Sequence, residues 1–258
     1  MAIQRGPKIA TSGLIFAVDA ADTNSYPRAG TTWSDLSGRG YNGTLTNGPT
    51  FNSSNGGSIV FDGINDYVDF GTSAINQDLS NFSICFWIKP TAFPASGAAP
   101  ISIFGKNDNG CGNAGARIFI RCNGTVSFGT PSTNCPGGAV QSQSGPLLTL
   151  NSWNFISFVY DASGTSGGVY LTGYKNLTSE IYIAGSLGTI LATFSNNATL
   201  KIGYAGTATV YQGDFCGGSF IAPTYFAGNI ACLLAYNKLL SASEIAQNYN
   251  ASKNRFGL

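Results

Sequence analysis

Phe82-Ser83-Ile84-Cys85-Phe86-Trp87-Ile88 alternates: Phe82, Ile84, Phe86 and Ile88 fall on one face, Cys85 and Trp87 on the other. An extended segment of this kind presents one continuous apolar face to a core. Similar short runs lie on both sides of it. Before it come 13–19, 57–61 and 66–70, the last two flanking the turn Asp62-Gly63-Ile64-Asn65; after it come 116–122, 153–160, 168–174, 198–204 and 226–236. Glycine-rich turns separate them, the pattern of a sandwich or barrel, and no 20–50-residue repeat suggests a propeller or solenoid. The expected fold is therefore all-β, a two-sheet antiparallel sandwich with one short C-terminal helix.

The helix signal is Ser241-Ala242-Ser243-Glu244, a capping box in which serine hydroxyl and glutamate carboxylate each satisfy a backbone N–H of the first turn. Leu240 and Ile245 are placed for a hydrophobic staple, and Ile245 with Tyr249 gives a narrow apolar stripe. The helix should fade over 250–253.

Composition removes whole classes of function. The 258 residues carry only 13 basic and 12 acidic side chains, about 10%, where roughly a quarter is usual. Histidine is absent, which excludes Ser-His-Asp triads, HExxH metallohydrolases and His–Cys zinc sites. A net charge of +1 without basic runs argues against nucleic-acid partners. Apolar residues at 43% supply a sizeable core, and stretches such as Ile230-Ala231-Cys232-Leu233-Leu234-Ala235-Tyr236 are strand-sized, so no membrane association is expected. The N-terminal residues lack an apolar signal region, which leads to the expectation of synthesis in a cytoplasm. On that expectation the N-x-S/T triplets at Asn42, Asn52, Asn81, Asn123, Asn176, Asn197 and Asn250 are chance products of a Gly/Asn/Ser/Thr-rich chain.

Taken in order, these segments resemble a known family. The set includes Gly13-Leu14-Ile15-Phe16-Ala17-Val18-Asp19, Trp33-Ser34-Asp35-Leu36-Ser37-Gly38, Ile59-Val60-Phe61-Asp62-Gly63 and Asp66-Tyr67-Val68. It continues with the Phe82 strand, Val159-Tyr160-Asp161, Phe226-Ala227-Gly228-Asn229-Ile230 and Leu240-Ser241 with Glu244-Ile245. Each is weak alone, but the ordered set is similar to the laminin-G-like, concanavalin A-like jelly-roll domain over residues 13–250. The version it most resembles occurs in virion structural proteins of tailed bacteriophages, cyanophages among them. That resemblance implies one domain over 13–258 behind an extended arm over 1–12. It implies a non-enzymatic capsid decoration or head or tail fibre component on the virion surface, partnered by other virion proteins and by copies of itself, in trimers by analogy. Arg5, Pro7 and Lys8 would lie in the assembly arm. The alternative function is a lectin-like module recognising host or environmental glycans.

Catalysis of the glucanase kind needs two carboxylates about 5–5.5 Å apart, carried in that fold by a Glu-x-Asp-x-Glu strand. This chain has only Glu180 and Glu244, the second explained by the capping box, so no enzyme is expected. Asp62 and Asp66 have two readings. The resemblance implies a rim calcium site, and calcium wants six to eight oxygens; yet both also suit turn formers bonding their own backbone. No cofactor is required, and Ca²⁺ is the one candidate.

Tyr204, Tyr211, Phe215, Phe220 and Tyr225 crowd a glycine-rich stretch, a place for sugars to stack or for a neighbouring subunit to dock. Covering one end of the core is the third reading. Cys85 and Cys232 read as small buried hydrophobes, whereas Cys111 and Cys135 in glycine-rich loops are the disulfide candidate. The pairing of the six cysteines is otherwise open.

Overall fold

The computed structural model describes residues 8–96, 100–106, 115–130, 141–161, 169–184, 192–194, 197–204 and 225–258. In chain order the first strands are β1 (Leu14–Asp19), β2 (Thr32–Trp33), β3 (Gly43–Thr46), β4 (Thr50–Asn52), β5 (Ser58–Asp62) and β6 (Tyr67–Asp69). Next come β7 (Asp78–Leu79), β8 (Asn81–Pro90), β9 (Ile101–Gly105), β10 (Arg117–Ile120), β11 (Thr125–Thr130) and β12 (Gln141–Leu147). The last are β13 (Asn154–Asp161), β14 (Val169–Lys175), β15 (Thr178–Ala184), β16 (Ala192–Thr193), β17 (Lys201–Ile202) and β18 (Ala227–Tyr236). Helix α1 spans Ala242–Ser252, and a 3₁₀ turn, Lys253–Phe256, follows it.

Two antiparallel sheets face each other. The first runs β15-β14-β13-β8-β18-β5-β4, with β1 also pairing along β18; the second runs β12-β11-β10-β9-β17-β6-β3-β2. Strand β8 is central, in register with β13 on one side and β18 on the other. Phe82, Ile84, Phe86 and Ile88 enter the core between the sheets, where they meet Phe16, Val68, Phe104 and Ile202. The alternation of β8 and the all-β sandwich with one C-terminal helix stand as the sequence indicates.

The second face of β8 is buried as well. Cys85 and Trp87 belong to a smaller cluster with Phe155, Tyr236, Leu240, Ile245 and Phe256, covered by α1 and the turn after it. Both arms of the capping box form: Glu244 N donates to Ser241 Oγ at 3.3 Å and Ser241 N to Glu244 Oε2 at 3.0 Å. Ile245 is fully buried, and α1 ends at Ser252. No helix among the described residues is long and apolar enough to cross a membrane.

Part of the expected arm packs on the domain itself. Ala10 N donates to Asn248 Oδ1 at 2.8 Å, Tyr236 Oη donates to Ala10 O at 3.0 Å, and Gln247 Nε2 donates to Lys8 O at 2.8 Å. Residues 8–10 are thus seated on α1 of their own domain, because the helix presents amide side chains that satisfy an extended backbone. Lys8 keeps its side chain exposed. Arg5 and Pro7 lie outside the described residues.

Candidate functional site

The outer face of the second sheet carries an aromatic cluster, and its position follows from strand alternation. Val68 and Ile202 are opposite one another in register and fully buried, so their neighbours Tyr67 and Lys201 turn outward. Beyond Ile202 the chain passes through Gly203 at φ +88°, where an added Cβ would stand 2.8 Å from the Phe61 ring. A side chain is sterically excluded at that turn, and the turn delivers Tyr204 to the surface. Gly203 O accepts from Phe226 N at 2.9 Å. Phe226 is buried against Phe61 with ring centroids 5.8 Å apart, and the adjacent Tyr225 is left facing Tyr204.

Tyr204 and Tyr225 stack at 4.6 Å with planes 15° apart, and Tyr67 lies 5.7 Å from Tyr204. Lys201 Nζ stands 5.3 Å from the Tyr204 centroid and 5.7 Å from that of Tyr67. All four side chains are partly exposed. Stacked rings with cation–π support form a stiff surface, because each contact restricts the others. Aromatic faces of this kind offer an apolar plane to the C–H face of a sugar ring, and the phenol hydroxyls supply hydrogen bonds at the edge.

Of the five sequence-proposed aromatics, Tyr204 and Tyr225 come together; Tyr211, Phe215 and Phe220 lie outside the described residues. Tyr67 and Lys201 were missed. The alternation of Tyr67-Val68-Asp69 was the available signal for an outward Tyr67, whereas its proximity to Tyr204 depends on the β6–β17 pairing.

The Asp62–Asp66 turn lies beside Tyr67. Ile64 N and Asn65 N donate to Asp62 Oδ1 at 2.8 and 3.3 Å, and Asp62 N donates to Asp66 Oδ2 at 3.0 Å. Both carboxylates are thus engaged by the backbone of the turn they form, and among the described residues no group of three or more acidic or cysteine side chains gathers to hold a metal. Asp66 is 3% exposed, and burial, aided by the nearby Asp62 carboxylate, raises its pKa above the usual value against the pull of the Asp62 N–H.

A pH effect follows. In the acid range just above 3.8 the unfolded Asp66 has ionised while the native one still holds its proton. This residue's contribution to stability therefore falls as pH rises through its native pKa. Asp66→Asn keeps the acceptor for Asp62 N and removes that fall, so its urea midpoint should gain on wild type between pH 4 and 7. A variant less stable than wild type by the same margin at both pH values would count against this reading.

Glu244, besides capping α1, pairs with Lys238 at 2.6 Å, and that hydrogen bond holds its pKa below the ordinary range. Glu180 is in β15, opposite Gly173 in register. Cys85 and Cys232 are free and buried, as their strand positions suggest. Cys122 is disulfide-bonded, while Cys111, Cys135 and Cys216 lie outside the described residues.

Residues 62–246 match the sequence profile of the concanavalin A-like lectin/glucanases superfamily. No curated protein matches the chain. Among solved structures, domain 4 of an extracellular arabinanase from Geobacillus stearothermophilus, in complex with arabinotriose, is similar with a TM-score of 0.60 and 17% identity. That likeness covers 93% of this chain and 98% of the arabinanase domain. The ligand binding domain of botulinum neurotoxin serotype D, in complex with N-acetylneuraminic acid, gives a TM-score of 0.62 at 15% identity over 94% of this chain and 51% of that one. A mutant Trypanosoma rangeli sialidase displaying trans-sialidase activity gives 0.59 at 16% identity, over 97% of this chain. This chain spans about a third of the sialidase, 34%. At these identities the likeness is one of fold.

Proposed function

We propose, for a chain that belongs to the concanavalin A-like lectin/glucanase superfamily, that it is a non-enzymatic carbohydrate-binding module whose contact surface is the Tyr67, Tyr204 and Tyr225 cluster. The observation that carries this reading is the 4.6 Å stack of Tyr204 on Tyr225 at the surface, fixed from below by buried Phe226. Two of the similar folds were solved in complex with sugars, arabinotriose and N-acetylneuraminic acid, which supports the same class of ligand here. The absence of histidine and the use of Glu244 in the helix cap support binding without cleavage.

The test is a glycan array of pentose, hexose and sialylated oligosaccharides, read with wild type and with Tyr204→Ala. Loss of one stacked aromatic is expected to weaken the strongest signal about tenfold or more, by analogy with truncation of an anchoring aromatic. An empty array, or a signal indifferent to Tyr204, refutes the proposal. A second reading places the module on a virion surface, in contact with its own copies or other virion proteins. The scarcity of charge favours it, since weakly charged faces lose little on desolvation.

A further inference from the structure

The cluster beneath α1 is incompletely filled. Between the outer face of the first sheet and the helix lies a cavity of about 450 Å³. Its floor is made by small side chains from β1, β8 and β18, namely Ala17, Cys85 and Cys232, together with Leu234 and Phe155. Ala251 closes it from the helix side. Well-packed interiors rarely leave voids larger than a water molecule, whereas ligand pockets run from about 300 to 1,000 Å³.

Most of the polar groups around it are occupied. Asn248 Oδ1 accepts from Ala10 N, and its Nδ2 donates to Tyr236 Oη at 3.1 Å and lies 3.6 Å from Cys85 Sγ. Ser252 Oγ accepts from Trp87 Nε1 at 2.7 Å and donates to Asn248 O at 3.4 Å. Arg255 Nη1 donates to both carboxylate oxygens of Asp19, and its Nε and Nη2 donate to the carbonyls of Asn55 and Gly57. Asp22, at the same end, adds a second carboxylate against the one guanidinium. Burial pushes the Cys85 thiol up to about 11 and raises that of Cys232 too, so both walls are neutral.

A neutral polar occupant would exchange hydration for few new hydrogen bonds, and an anion would meet an excess of carboxylate. A hydrocarbon loses nothing on entry and buries apolar surface. We propose that the cavity between α1 and the first sheet is a second binding site, for one small, neutral, hydrocarbon-rich molecule such as an aromatic ring system or a short acyl chain. This site lies on the opposite sheet from the tyrosine cluster and is independent of the glycan reading.

The experiment is titration of the full chain with N-phenyl-1-naphthylamine, a neutral fluorescent probe, and separately with the anionic 1-anilinonaphthalene-8-sulfonate. Saturable one-to-one enhancement by the neutral probe is expected, with the anionic one at least tenfold weaker. Ala251→Phe, which fills the cavity from the helix, should weaken the neutral probe at least tenfold, and Cys232→Met should do so from the floor if the first variant does not fold. Tyr204→Ala should leave the titration unchanged. Non-saturable enhancement, equal affinity for the two probes, or binding that survives a folded filling variant overturns the proposal. So does binding lost with Tyr204→Ala.

Discussion

Trp87→Ala is expected to cost about 3–5 kcal/mol, read as a fall in urea midpoint. Trp87 is fully buried on the face of β8 away from the main core. Its ring stacks on Phe256 at 4.2 Å and Tyr249 at 5.6 Å, and it meets Phe155 at 5.2 Å. Its Nε1 donates to Ser252 Oγ across 165 residues of sequence. Truncation leaves a large void and strips that bond from the last residue of α1. The helix has 11 residues, too few to persist in water without its packing face. Helical circular dichroism should therefore weaken before the sheets unfold. Trp87→Phe, keeping a ring against Phe256 while losing the hydrogen bond, should recover more than half of the loss. A Trp87→Ala cost below about 1 kcal/mol would mean that the helix is not held this way.

Gly228→Ala should be nearly as damaging, roughly 2–4 kcal/mol, through overpacking and backbone strain together. Gly228 sits in β18 at φ +139°, and a Cβ there would lie 2.3 Å from Lys89 O and 2.9 Å from Pro90 Cα. Both belong to the paired strand β8, whose backbone cannot retreat without breaking the register that centres the first sheet. Gly30→Ala is the control: φ there is +85° with nothing within 4 Å of the added carbon, so only the local penalty of about 1–2 kcal/mol applies. Equal melting temperatures for the two variants would remove the steric argument.

How far the sequence reached depends on whether the information was local. The apolar runs of β1, β5, β8, β13 and β18 are legible because an apolar run or alternation is written in adjacent residues, as is the capping box of α1. Strand β12 was not, because Gln141-Ser142-Gln143-Ser144-Gly145-Pro146-Leu147 has almost no apolar residues; it is held from one side, by pairing with β11. The second buried face of β8 was read correctly as a face and not as a core. What covers it comes from α1 and Phe256 at the far end of the chain, and no local pattern announces that. The seating of residues 8–10 of the expected arm on Gln247 and Asn248 is likewise not written in neighbouring residues. For the candidate site, Tyr204 and Tyr225 stood out by crowding, but the platform needed Tyr67 and Lys201, which reach it only through the register of β6 with β17.

The most direct test of the glycan reading is residue-level mapping of amide chemical shifts while the strongest array oligosaccharide is titrated into the labelled chain. Shifts are expected to centre on Tyr67, Lys201, Tyr204 and Tyr225 and to saturate together. Saturating shifts confined to α1 and the first sheet, or to residues remote from these four, would contradict it.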